Sequence, residues 1–419
     1  TEDSTVSITN TTIANNEAKM DGGAVYSYAN TKDSTVSITN TTIENNESFE
    51  GAGGAVFSNA GQSSSVTITD DTLHNNTAKN YGGAVYSKAN TANSTVSITN
   101  TTIKNNESEN GAGGAVFSNA GQSSSVTITD ATLHNNTAKN NGGAVYSNAV
   151  NANSTVSITN TTINENESFE GAGGAVFSNA GQSSNVTITD AMLHQNTAKN
   201  NGGAVYSNAV NANSTVSITN TTINENESEN GSGGAVYSNA NIANSTVSIT
   251  NTTIDNNKAQ GAGGAVFSNA RQTSSVTITD GTLHQNTATE GSGGAVYSNA
   301  RATATTNIKN VTIKNNTAGA SGGAVYNNVD VNYGNYNQIV SNNIRATVTI
   351  DNVLIQDNTA TNGKGGAIYN NAKIIFNNNE EQYNNLAITT TADVNISESS
   401  LIQNKATGDG AGVYNYAYV

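Results

Sequence analysis

The sequence predicts an all-β fold: a single-stranded parallel β-helix of about 13 coils, each of ~30 residues with three short strands. Three observations carry this. A Gly-Gly pair starts at Gly22, Gly53, Gly82, Gly113 and Gly142 and recurs through Gly365, with intervals that alternate between 31 and 29 for much of the chain. Within each unit, apolar and polar residues alternate with a period of two, the mark of a half-buried strand. Asn-rich and Gly-rich turn formers separate these segments, and none shows helical periodicity. A β-propeller, with four-stranded blades of ~40–50 residues, does not fit this period.

One unit reads STVSITNTTIANNEAKMDGGAVYSYANTKD (4–33). Its first strand is TVSIT, with Val6 and Ile8 on one face and Thr5, Ser7 and Thr9 on the other. The second is the short TTI ending at Ile13, and the third is GAVYS at 23–27. Four large apolar side chains per unit cannot repay the conformational entropy of thirty residues. A unit is therefore stable only between its own near-copies, as in other solenoids. Stacking places Val6 over Val36 over Val66, and Ile8 over Ile38 over Ile68. Thirteen coils at the strand spacing make a rod roughly 60 Å long, right-handed by the general preference of parallel crossovers. Residues 1–326 form the regular part, in 60-residue super-repeats, and 327–419 a divergent part of the same solenoid.

Each position of the repeat becomes a ladder. The structural ladder is Asn76, Asn106, Asn136, Asn166 and Asn196 with its continuation at both ends, each three residues after an Ile or Leu. A stacked Asn can donate to the carbonyl of the next coil and so satisfy a buried turn. The glycine pairs imply either φ > 0 or a close backbone approach. A phosphate loop would need a following helix, which the pattern lacks.

The aromatic ladder is the candidate binding stripe: Tyr86, Phe117, Tyr146, Phe177, Tyr206 and Tyr237, with equivalents before and after. Its neighbour in the strand is always Val or Ile, and only one of the two can face inward. The free exchange of Tyr and Phe favours Val inside and the ring outside, where it could stack on a sugar ring or a second rod; the alternative is that the rings fill the core. The outward Ser/Thr array of the first strand resembles that of ice-binding β-helices, though Thr also simply favours strands.

The chain has 419 residues, no Pro, Cys or Trp, 40 Gly, 11% charged residues and a net charge of −15. Without Cys there are no disulfides or thiolate metal sites. Without a Lys/Arg cluster there is no basis for nucleic-acid or anionic-lipid binding. No apolar run is long enough to span a bilayer, so no direct membrane insertion is expected. His74, His134, His194 and His284 share one outward position, two coils or about 9.5 Å from each other at the closest. That is too far to share a zinc ion, whose ligand bonds are near 2 Å. Glu47, Glu107, Glu167 and Glu227 are equivalent, whereas a catalytic carboxylate pair needs two different environments. No catalytic residue, metal site or cofactor is assigned. The Asp70, Asp130, Asp190 and Asp280 series leaves room only for weak Ca²⁺ binding.

Regularity ends after Tyr326. Two insertions, 327–345 and 370–391, follow the third strand; Tyr333, Tyr336 and Tyr383 in them form a candidate binding loop, and covering the end of the rod is the equal alternative for these insertions. The chain begins on a first strand and ends just after a third, a phase that end-to-end stacking through open strand edges would need.

GGAV at 22–25 and 53–56, with IANN (13–16), LHNN (73–76) and their copies, resembles the repeat of chlamydial polymorphic outer-membrane proteins. Their signatures are GGA followed by Ile, Leu or Val, and Phe-x-x-Asn. It is equally similar to adhesin-like surface proteins of methanogenic archaea. The resemblance covers essentially the whole chain, with Ile or Leu in place of Phe. It implies an extracellular, β-helical, adhesive or structural protein and brings no catalytic residues. The expected function is a non-enzymatic cell-surface adhesin or stalk, contacting a surface glycan or protein through repeated weak sites. A structural filament subunit, self-associating end to end or laterally, is a second reading. A polysaccharide lyase or hydrolase is a third, and it would require a one-off cluster of acid and base residues.

Overall fold

In a computed structural model, residues 2–332, 343–375 and 389–418 are described, and none of them is helical. The chain divides into two compact units, residues 1–210 with 217–229, and residues 211–216 with 230–419. Each is a parallel β-solenoid in which every strand pairs with the equivalent strand one repeat away, building four parallel sheets. In the first unit the register is uniform: Val6 pairs with Val36 and Ile8 with Ile38, then Val36 with Val66 and Ile38 with Ile68. In the second, Val247 pairs with Val276 and Ile249 with Ile278.

One coil shows how the sequence produces this. The first strand, Ser94–Thr99, buries Ser94, Val96 and Ile98 completely. Asn100 then turns the chain with φ +49° and Thr102–Lys104 follows, burying Ile103. Asn105, at φ +54°, makes the next corner. A two-residue strand, Glu107–Ser108, precedes the glycine turn, and Val116–Ala120 closes the next fourth-sheet rung. The coil thus has four strands rather than the three expected. The extra strand is too short for any alternation to register, and its inward residue is small: Ala78, Ser108 and Ala138 in successive coils.

The corners explain the Asn richness. Asn and Asp tolerate the left-handed region better than other non-glycine residues. Asp70, Asp130, Asp190 and Asp280 occupy the same corner as Asn100, with φ between 52° and 59°. They are turn residues, and Asn100 Nδ2 donates to Asp70 Oδ1 at 2.6 Å. The glycine pair uses both properties of glycine, one at each position. Gly142 has φ +68°, whereas a Cβ on Gly143 would lie 2.0 Å from the carbonyl oxygen of Gly174 in the next coil.

Two polar ladders run through the interior. Asn106, Asn136, Asn166 and Asn196 are fully buried, and each donates from Nδ2 to the next Asn Oδ1 at 2.9–3.0 Å. Each also donates to an Ile or Leu carbonyl of the preceding coil, as Asn136 does to Ile103 at 3.0 Å. The second ladder was not expected. Inward serines of the first and fourth sheets form a zigzag of hydroxyls: Ser87 to Ser94, 2.9 Å; Ser94 to Ser118, 2.8 Å; Ser118 to Ser124, 2.9 Å; Ser124 to Ser147, 2.9 Å. In the second unit the zigzag ends at Ser298, and Asn327 and Asn370 take over, 2.9 Å apart.

The insertions first extend existing strands. The fourth-sheet strands lengthen to Val325–Asn332 and Ile368–Ile375, and the first-sheet strands to Asn343–Asp351 and Thr389–Ser397. Val329, Val331, Ile344 and Ile374 form a buried cluster with Ala300, Ala304, Ala346 and Ala372, widening the coil. Tyr333, Tyr336 and Tyr383 lie outside the described residues.

Candidate functional site

The fourth sheet turns Val inward and the aromatic residue outward: Val85, Val116, Val145 and Val176 are fully buried. In-register pairing then forces the rings to stack. In the first unit, centroids are 5.0 Å apart for Tyr86–Phe117, 4.6 Å for Phe117–Tyr146, 5.0 Å for Tyr146–Phe177 and 4.7 Å for Phe177–Tyr206. In the second, Tyr237 stacks on Phe267 at 4.8 Å.

The open stripe expected from the sequence has a different geometry here. Phe57, Tyr86, Phe117 and Phe177 are only 3–6% exposed, and Tyr146, Tyr206 and Tyr237 are half-buried. Two contacts cover them. Phe117, Tyr146 and Phe177 each stack on a ring on both sides, with interplanar angles of 13–21°, so their edges rather than their faces point to solvent. Residues that precede a glycine pair also pack on the stack: Ala52 clusters with Phe57, Tyr86 and Phe117, and Tyr81 lies against Tyr86 and Phe117. The stripe is therefore a second hydrophobic stack outside the sheet.

Nor do Tyr and Phe exchange freely. Phe57, Phe117, Phe177 and Phe267 each follow an Ala five residues earlier: Ala52, Ala112, Ala172 and Ala262. Tyr146, Tyr206, Tyr237 and Tyr297 instead follow Asn141, Asn201, Ser232 and Ser292. The hydroxyl is kept where the overlying residue is polar. That correlation was readable in the sequence and is the signal that would have found the cover. Burial pushes the phenols of Tyr86 and Tyr237 up to about 12, so they remain protonated donors.

Beside the rings runs an outward row of amides. Asn148 donates to Asn119, Asn179 to Asn148 and Asn208 to Asn179, each at 2.8 Å. Across the third to fifth coils this row and the ring stack border a groove of about 510 Å³, lined by Tyr81, Tyr86, Lys88, Ala112, Phe117, Asn119, Asn140, Asn141, Tyr146 and Asn148. That size falls within the usual range of small-ligand sites.

The histidines lie in the second sheet beside unlike neighbours. His74 Nε2 is 2.8 Å from Glu44, and His284 Nδ1 is 2.9 Å from Asp255. Nδ1 of His134 and of His194 is buried without a hydrogen-bond partner among the described residues. Glu47, Glu107, Glu167 and Glu227 alternate in the short third strand with Thr77, Thr137 and Thr197, so no two of them are direct neighbours there. Among the described residues, no group of three His, Asp or Glu is arranged to hold a metal ion.

A parallel β-solenoid with an outer aromatic stack and equivalent coils is a repeat architecture. Residues 130–148, 251–269, 310–328 and 352–371 match the Chlamydia polymorphic membrane protein repeat. The chain is a β-helix built from repeats of that type. No curated protein and no solved structure matches it.

Proposed function

We propose that this chain is a non-enzymatic adhesin or stalk at the cell surface, making several weak contacts in parallel. The observation that supports this most is the match to the polymorphic membrane protein repeat, spread over both units. Equivalent coils present equivalent outer positions at a fixed pitch, the arrangement that yields avidity from weak sites. In this reading the stacked rings from Tyr86 to Tyr206 form a wall in the first unit, on which Tyr86, Tyr146 and Tyr206 carry hydroxyls. Faces free to meet a partner come from rings outside the stack, such as Phe49 and Phe169, which are 44% and 48% exposed.

The test is attachment of beads coated with the full chain to cell surfaces, with soluble chain as competitor. Attachment should rise steeply with coating density and be released by the competitor. Attachment equal to that of beads coated with an unrelated acidic protein, at every density, would overturn the proposal.

A further inference from the structure

The third coil departs from the repeat at two outward positions that face one groove. Tyr81 stands where other coils carry Asp21, Ala52, Ala112, Asn141 or Asn201. It is 43% exposed and sits beside the stack rather than in it, tilted by 41° to Tyr86 and by 58° to Phe117. Part of its ring face is therefore available, unlike those of the rings it borders. Lys88 interrupts the outward amide row, where its in-register neighbours are the neutral Asn59 and Asn119. It makes no ion pair among the described residues, whereas Lys79 in the same coil is held by Glu109 at 2.5 Å.

The interruption leaves polar groups unmatched. Further along, the amide oxygens of Asn119, Asn148 and Asn179 each accept from the next Asn, but Asn59 Oδ1 is buried with no hydrogen-bond partner among the described residues. Tyr86 Oη accepts from Asn119 Nδ2 at 3.4 Å and retains its own proton to donate. One exposed ring face, one unpaired ammonium and several amides thus converge on the groove of about 510 Å³. This combination matches one ligand chemistry. The apolar face of a pyranose packs on an aromatic ring, amides meet its hydroxyls, and a lysine takes a carboxylate.

We propose that the groove bounded by Tyr81, Lys88, Asn119 and Asn148 is a one-off binding site for an acidic sugar, a hexuronic or sialic acid residue of a glycan. The proposal rests on the adhesive reading above and locates it at one place, across the third to fifth coils, rather than along the whole stripe. The carboxylate meets Lys88 Nζ, and the ring lies against Tyr81.

The test uses the full chain on a panel of glycans ending in hexuronic or sialic acid, together with their carboxyl-reduced counterparts. Lys88→Asn and Tyr81→Asn are the variants, since each installs a residue that other coils carry at the same position, Asn119 and Asn141, and so should leave the fold intact. The wild-type chain should prefer the acidic glycans, and Lys88→Asn should weaken that binding about tenfold while leaving the reduced glycans unchanged. Tyr81→Asn should weaken both sets. Acidic-glycan binding that survives both substitutions would overturn the site while leaving an adhesin that binds elsewhere. A wild-type chain that binds no acidic glycan would also overturn it, and the bead assay then decides the adhesive reading separately.

Discussion

Replacing Asn136 by Ala isolates the contribution of the buried amide ladder. Asn136 is fully buried, and its Oδ1 accepts from the backbone N–H of Asn106 at 3.1 Å and from Asn106 Nδ2 at 2.9 Å. Its own Nδ2 donates to the Ile103 carbonyl and to Asn166 Oδ1, both at 3.0 Å. After truncation, Asn106 Nδ2 still has the carbonyls of Leu73 and Lys104, and Asn166 Oδ1 still has the Asn136 N–H. The Asn106 N–H, however, is stranded in the interior. A stranded buried donor costs about 1–3 kcal/mol, and with the lost side-chain bonds the total is about 2–4 kcal/mol. Solenoids open locally, so the assay is hydrogen exchange resolved by mass spectrometry across residues 100–170, alongside urea unfolding. Asn136→Ala should accelerate exchange in the coils on either side of it. Asn135, next door, is a corner residue at φ +52°. Asn135→Gly relieves backbone strain and should change stability by no more than about 0.5 kcal/mol. If Asn136→Ala were as mild as Asn135→Gly, the ladder would not be the support assigned to it.

Three further outcomes follow from the same geometry. Gly143→Ala puts a Cβ 2.0 Å from the Gly174 carbonyl oxygen, so it should lower stability by about 4 kcal/mol or more, seen as a lost or shifted urea transition. Phe117→Ala should cost about 3–5 kcal/mol in urea unfolding because the ring is buried in the stack; a change within about 0.5 kcal/mol would mean the ring stands free in solvent. Asp71 replaces the Thr of neighbouring coils, Thr41 and Thr101, and burial raises its carboxyl pKa to about 6 even though it accepts from the N–H groups of Thr41 and Thr69. The folded chain keeps this proton up to about pH 6, whereas the unfolded chain releases it near pH 4. Wild-type stability should therefore fall between those values as pH rises. Asp71→Thr should remove that slope and gain about 1–2 kcal/mol at pH 7 after solvent screening, measured by urea unfolding at pH 4 and pH 7.

Much of the coil was legible in the sequence because stacking turns each requirement into a repeated letter. Val96, Ile98 and Ile103 revealed their inward face by spacing, and Asn136 by its invariant place after an apolar residue. The two-residue strand Glu107–Ser108 was not legible, since two residues contain no period. The serine zigzag was hidden for another reason: Ser94 and Ser118 look like ordinary strand polar residues until two sheets bring them 2.8 Å apart. The cover over the aromatic stack was legible, as Phe follows Ala and Tyr mostly follows a polar residue, but its meaning depends on how the glycine turn folds back. The groove at Tyr81 and Lys88 was obscured because ladders draw attention to what is common, and these two residues matter by being different.

The most direct test of coil stacking is pulsed dipolar spectroscopy on spin labels placed in the first sheet of the first unit, in a chain that has no native Cys to interfere. Ser7, Ser37, Thr67, Ser97, Thr127, Ser157 and Thr187 are successive in-register partners. At the spacing of paired strands, the pairs 67/187, 37/187 and 7/187 should lie about 19, 24 and 29 Å apart, in equal steps. Separations that fail to grow with each added repeat, or that rise and then fall as around a closed ring, would contradict the stacked solenoid.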